Sequence, residues 1–264
     1  MSEQVLIEKS AGVLTLTLNR PEKKNALTPA MYQALGAAID GSEHDPDVRC
    51  ILLQANGDMF CAGNDVGDFA KANAGDPQMT TTRAEGNPLL AALARAATPL
   101  VAAVHGRSIG VGVTMLLHFD LVFIAEDAVL TTPFVNLALV PEAASSLLLP
   151  ARIGHARAFS MFVLGEPVSG RAAAEWGIAN EALPAAEVRA RARAAAEAIA
   201  AKPPAAVAAT KALMRDRAVI EAQIKAESVR FNAQLKSPEA REAFAAFAEK
   251  RAPDFSKLAR KEPA

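Results

Sequence analysis

Three short stretches of this chain combine residue types that could move a proton at a carbon atom. Glu142 stands in Pro141-Glu142-Ala143-Ala144-Ser145-Ser146, a carboxylate among small and apolar residues. Gly106-Arg107-Ser108-Ile109-Gly110-Val111-Gly112 follows the apolar run Pro99 to Val104 and leads into a second apolar run ending at Asp120. A strand, a glycine-rich turn and a helix start bring free backbone N–H groups to one point, and such a point stabilises negative charge. Met59-Phe60-Cys61-Ala62-Gly63-Asn64-Asp65-Val66 has the same character after an earlier strand. An anion-stabilising turn and a carboxylate in an apolar loop are the parts needed to take a proton from carbon beside a carbonyl. Each stretch also has a plainer reading. Short glycine turns are common in ordinary β–α loops, and Glu142 also suits a solvated loop or the start of a helix capped by Ser145 and Ser146.

The other titratable residues narrow the chemistry. His44, His105, His118 and His155 are scattered with no H-x-x-x-H pair, and Cys50 and Cys61 have neither a disulfide framework nor metal-ligand spacing. No metal and no separate cofactor are therefore expected, and a reducing compartment is the default. His105 and His118 suit core or supporting roles, and Asp120 a structural one. With 28 basic and 29 acidic residues the net charge is −1, whereas a nucleic-acid binder usually carries a basic excess. The N-terminus lacks the basic-then-apolar order of a signal peptide, and no run approaches the ~20 apolar residues of a membrane span. The expectation is a soluble, cytoplasmic protein. At 51% hydrophobic and 22% charged over 264 residues, the chain can bury a sizeable core.

The pattern predicts the elements that must position these residues. Val5 to Glu8 and Val13 to Leu18 around Ala11-Gly12 read as a hairpin. Thr28-Pro29 reads as N-cap and first residue of a helix to about Asp40. Val48 to Gln54 is a buried strand, and Leu121 to Ala125 with Val129 to Thr132 a strand pair. Phe69 to Pro88 is polar and suits a mobile lid; Leu89 to Ala97 is helical. Later helices are expected from Ser145 through Leu149, over Gly154 to Leu164, and from Ser169 to Trp176 with Gly177 ending it. Long amphipathic helices follow over 185–201 and 204–233, with a last one over Ser237 to Lys250.

RPEKKNAL (20–27), FCAGND (60–65), the GRSIGVG turn with Asp120 ten residues beyond Gly110, and the tail SPEAREAFAAFAEKRAPDF (237–255) together resemble the enoyl-CoA hydratase/isomerase (crotonase) superfamily, over residues 4 to 256. The resemblance implies an α/β fold: a crotonase-like spiral of ββα repeats over residues 1–200, then a helical C-terminal region over 201–264 for oligomerisation and CoA cover. It implies a homotrimer or hexamer and an acyl-CoA thioester as substrate. The oxyanion hole maps onto the backbone N–H groups of Asn64, after Ala62-Gly63, and Val111, after Gly110. Lys23 or Lys24, Ala26 and the loop Ala62, Gly63, Asn64, Asp65 and Val66 would line the CoA. Phe247 and Lys250 would reach it, from the same or a neighbouring subunit.

Hydratases of this superfamily carry two catalytic Glu, and the motif alignment puts Thr114 and Phe134 at those positions, neither able to act as a base. The active-site pattern resembles instead the peroxisomal-type Δ3,Δ2-enoyl-CoA isomerases, whose single catalytic Glu falls on Glu142. Ala143 and Ala144 stand where a glycine is common. Ring-modifying isomerases carry an Asp near this position, which leaves the substrate class open. A non-catalytic acyl-CoA binder is the alternative of a different kind, and Asp65 is the next candidate base. Thr114, one helical turn from Val111, and Phe134 and Leu137 read as walls of the acyl pocket.

Overall fold

The computed structural model describes residues 4–64, 87–256 and 258. Strands β1 (Val5–Ser10) and β2 (Val13–Leu18) form the expected hairpin, with Ala11 and Gly12 both at positive φ in its turn. From β2 the sheet grows in parallel through β3 (Cys50–Ala55), β4 (Leu100–Val104), β6 (Leu121–Ala125) and β9 (Glu181–Leu183). Every residue of β2 and β4 is buried, as a sheet covered on both faces requires. Among the described residues, three further strands make a second sheet in the order β5 (Arg107–Ile109), β7 (Val129–Thr131), β8 (Val168–Ser169).

Leu121–Ala125 and Val129–Thr131 are therefore not a pair. β6 joins the large sheet beside β4, and the chain crosses at Asp127 so that β7 joins β5. Apolar alternation identifies a strand but does not choose its partner. The layers β4–β5 and β6–β7 thus each place one strand in each sheet, and Cys61 joins the second sheet by a bridge to Ser108, where the glycine turns lie.

Helix α1 (Pro29–Ser42) is capped by the Thr28 hydroxyl, which accepts from Met31 N at 3.3 Å, and packs on α2 (Pro88–Arg95). The second apolar run is a single α-turn, α3 (Val111–Thr114), tightened into a 3₁₀ segment over Met115–His118. Helix α4 runs from Ser145 to Ile153, further than expected, followed by α5 (His155–Phe159), a π turn to Leu164, and α6 (Gly170–Trp176). Ser169 caps α6, and Gly177 ends it at φ 86.

Helix α7 (Ala185–Ala200) lies across β3, β4 and β6. The expected helix over 204–233 is two helices, α8 (Pro204–Met214) and α9 (Arg217–Leu235), broken at Arg215-Asp216. Asp216 is extended and its Oδ1 accepts from Val219 N at 3.1 Å. A carboxylate that caps the next helix competes with continuing the previous one. Helix α10 (Pro238–Ala248) is capped by Ser237 and packs on α9 and on the turn Val135–Leu137. Asp120 joins tail to core: its Oδ2 accepts from Leu100 N at 2.7 Å and from the buried Lys211 of α8 at 2.8 Å.

Candidate active site

The two glycine turns interlock through main-chain bonds. Phe60 and Cys61 N–H donate to Arg107 O at 3.1 and 3.2 Å, and Ile109 N–H donates to Cys61 O at 2.9 Å. Gly63 sits at φ 88, and a Cβ there would stand 2.8 Å from Ile109 O, so only glycine lets the two backbones approach this closely. Gly112 has the same constraint, its notional Cβ being 2.9 Å from Cys61. On the other side, Leu27 N–H donates to Gly63 O at 2.8 Å and Ala62 N–H to Lys24 O at 2.9 Å. The buried Asn25, at φ 54, locks that polar turn: its Nδ2 donates to Asn56 O and Met59 O, each at 2.8 Å, while its Oδ1 accepts from Arg20 N. Asparagine tolerates the left-handed conformation, which is the signal that singles out Asn25 in RPEKKNAL.

The N–H groups of Val111 and Asn64 stay outside this stitching. Gly110 N–H is used by Thr131 O, and Gly110 O accepts from Val113 and Thr114 N–H. The N–H groups of Val111 and Asn64 have no carbonyl acceptor among the described residues. The two backbone donors expected from the sequence thus lie on adjoining turns.

Glu142 reaches the same place from 78 residues further along the chain. Asn64 Nδ2 donates to Glu142 Oε1 at 3.4 Å, and Tyr32 of α1 donates its hydroxyl proton to Asn64 Oδ1 at 2.5 Å. Asn64 therefore matters for its side chain as well as its backbone, and Tyr32 enters the site without any sequence signal beyond a buried aromatic in a helix. Ala143 and Ala144 take φ of 66 and 55. Two successive left-handed alanines cost about 1–2 kcal/mol each, so the path that glycine would adopt freely is imposed here by contacts. His118 Nε2 lies 2.8 Å from Ala143 O, and its Nδ1 lies 2.5 Å from Arg215 Nη2. A carbonyl only accepts and a guanidinium only donates, so the imidazole is neutral with its proton on Nε2. Burial first, then the Arg215 charge, pushes the His118 pKa down to about 3.

The remaining sequence-derived residues fall into distinct places. Thr114 is buried with no partner for its hydroxyl among the described residues, and Phe134 is buried with its ring 6.2 Å from that of Phe162. Leu137 packs partly buried against the core. Lys23 and Lys24 are exposed beside the first glycine turn, with Lys24 Nζ 2.7 Å from Asp58, while Ala26 and Ala62 are half-buried. Phe247 and Lys250 are exposed at the end of α10, and no hydrogen bond joins them to Asn64, Val111 or Glu142. Asp65, Val66 and the expected lid up to residue 86 lie outside the described residues; Asn87 and Pro88, which close that stretch, form the N-cap and first residue of α2. His105 Nε2 contacts Gly57 O at 2.9 Å, a turn-holding role. The Cys50 and Cys61 thiols are both pushed up to about 12 by burial, which removes them as nucleophiles. No group of three or more His, Cys, Asp or Glu with metal-binding geometry occurs among the described residues. None of their helices is long and apolar enough to cross a membrane.

Among the described residues the two sheets thus carry two interlocked glycine turns beside a carboxylate. Residues 8–258 match the sequence profile of the family described as enoyl-CoA hydratase/isomerase. A 1,2-epoxyphenylacetyl-CoA isomerase of Escherichia coli (strain K12) is 38% identical over 67% of this chain and 69% of its own length. A probable enoyl-CoA hydratase of Rhodobacter capsulatus is 36% identical over 94% of this chain and 96% of its own. Enoyl-CoA delta isomerase 2 of Rattus norvegicus is 34% identical over 69% of this chain, which spans 47% of that protein. The crystal structure of an enoyl-CoA hydratase/isomerase from Pseudoalteromonas atlantica T6c superposes with a TM-score of 0.88 at 41% identity, covering 96% of this chain and 99% of the other. The fold is the crotonase fold, and the chain belongs to the enoyl-CoA hydratase/isomerase family.

Proposed function

We propose that the protein is an acyl-CoA isomerase that moves a double bond from C3 to C2 of an enoyl-CoA thioester. The observation that carries this reading is the meeting of base and oxyanion donor on one residue: Asn64 has a backbone N–H with no carbonyl acceptor among the described residues, and its side chain donates to the Glu142 carboxylate at 3.4 Å. Glu142 takes a proton from C2, and the C–H electron pair flows to the thioester oxygen, where the N–H groups of Asn64 and Val111 stabilise the negative charge. The protonated Glu142 returns the proton to C4: the C3–C4 π pair forms the new C–H bond, the enolate C1–C2 pair moves to C2–C3, and the thioester carbonyl re-forms. One carboxylate does both steps, and no separate cofactor is used.

Water addition needs a second acid/base group. Thr114 and Phe134, buried at the positions where related hydratases carry acids, supply none. Hydration of a 2-enoyl-CoA is therefore expected near background, and hydration at a rate comparable with isomerisation would refute the assignment. Glu142→Ala and Glu142→Gln should lose isomerisation and C2 proton exchange together, by roughly 10²–10⁴, while still binding acyl-CoA. Near-normal turnover in Glu142→Ala would place the base elsewhere, with Asp65 tested next. A non-catalytic binder would show no C2 exchange in the wild type either. The likeness to a 1,2-epoxyphenylacetyl-CoA isomerase supports a second reading, a ring-type substrate for the same Glu142 chemistry. A turnover screen across 3-enoyl, 2-enoyl and ring-bearing CoA thioesters separates the two.

By the same reading, Lys23 or Lys24, Ala26 and the loop 62–66 line the CoA, with Phe247 and Lys250 reaching it. Residues 1–200 form the spiral and 201–264 the region for oligomerisation and CoA cover, in a cytoplasmic homotrimer or hexamer. The exposed Leu213, Met214, Val219 and Val229 on α8 and α9 support an apolar contact there. Sedimentation should give a trimer or its multiple, and a stable monomer that still binds CoA after truncation at Ala201 would overturn the role given to the tail.

A further inference from the structure

Beside His118, which bonds Ala143 O, a carboxylate from the tail bonds the left-handed turn at Ala144. Glu227 lies on α9, is 5% exposed, and reaches the loop from 83 residues away in sequence. Its Oε2 accepts from Ala144 N–H at 2.6 Å, and its Oε1 accepts from Ser146 N–H at 2.9 Å and from the Ser146 hydroxyl. Gln223, one turn earlier on α9, donates from Nε2 to Ser146 Oγ at 2.8 Å. Ile220 of the same helix packs with Ala94 and Ala144 in a small apolar cluster. Every hydrogen bond to the Glu227 oxygens comes from a donor, so both oxygens are engaged; burial pushes its pKa up from the usual carboxylate value, and the bonds from Ser146 and Ala144 oppose that shift.

We propose that Glu227 is a positioning residue for Glu142. By holding Ala144 and Ser146 it fixes the backbone turn that aims Glu142 at Asn64, and it makes the aim of the base depend on the docking of α9. This rests on the reading of Glu142 as the acid/base group. A carboxylate anchored only by loop backbone would sample other directions, and misplacement by about 1 Å is enough to cost on the order of 10²-fold in turnover.

Glu227→Gln keeps the size of the side chain but turns one acceptor into a donor that faces an N–H. With a short trans-3-enoyl-CoA as substrate, this variant should lose roughly 10–100-fold in kcat with KM within about threefold, and C2 exchange should fall in parallel. Ser146→Ala removes one of the three bonds from an exposed position and should lose roughly 3–10-fold in kcat; it decides the question if Glu227→Gln does not fold. In a Glu142→Ala background, Glu227→Gln should cause no further loss in the residual rate, because its effect passes through Glu142. A kcat within twofold of wild type in folded Glu227→Gln, or in Ser146→Ala when the former does not fold, overturns the proposal. So does the same fractional loss in both backgrounds. Normal turnover in Glu142→Ala defeats the acid/base reading itself, whereas a dead Glu142→Ala beside an active Glu227→Gln defeats only the positioning role.

Discussion

Protonating His118 should destabilise the protein in mildly acidic solution by an amount that can be worked out from its surroundings. The ring is 1% exposed, donates from Nε2 to Ala143 O, and accepts at Nδ1 from Arg215. A second proton would sit on Nδ1, facing a guanidinium with nothing to accept it, among the charges of Arg215, Arg152 and Lys211, with Asp120 the anion that bears on these cations. Burial and those cations depress the pKa from 6.5 to about 3. Between these two values the unfolded chain binds the proton and the folded chain does not, so stability is intact above pH 6.5 and falls as pH falls towards 3. The slope approaches about 1.4 kcal/mol per pH unit, which makes the loss at pH 5 about 2 kcal/mol. His118→Gln can offer Ala143 an N–H and Arg215 an oxygen without titrating. Urea unfolding of wild type and His118→Gln at pH 7.5 and 5.0 isolates the effect, because the other carboxylates and histidines titrate in both. The wild type should lose about 2 kcal/mol more than the variant on acidification. Parallel losses in the two proteins would refute the tautomer and burial argument.

Asn64 should show two separable roles. Asn64→Pro deletes the N–H donor and should cost roughly 10²–10³ in turnover, whereas Asn64→Ala keeps that donor and loses the side-chain bonds to Glu142 and Tyr32, for roughly tenfold or less; equal losses in steady-state turnover of folded variants would contradict the division. Thr114→Val removes a buried hydroxyl that has no partner among the described residues. It should leave turnover unchanged and raise unfolding stability by up to about 1 kcal/mol, and a large fall in turnover would put that hydroxyl in the chemistry.

Much of the site was legible along the chain because its parts are local. Gly63 and Gly110 mark the two tight turns, Thr28-Pro29 and Ser169-Gly170 announce helix starts, and Glu142 stands out as an acid among alanines and serines. Each of those signals depends on a residue and its immediate neighbours, where backbone preference and hydrogen bonding act over a few positions. What the sequence could not reveal depended on which distant groups meet. The partners of β6 and β7 follow from the stacking of two sheets, which apolar alternation alone leaves undetermined. The break at Arg215-Asp216 interrupts a run that otherwise reads as one helix, and it frees Arg215 to meet His118 and Leu93 O. Tyr32 and Glu227 read locally as an ordinary buried aromatic and an ordinary helix acid. Only the tertiary structure carries one to Asn64 and the other beneath the Glu142 loop, because the energy of a buried hydrogen bond depends on a partner that sequence distance does not specify.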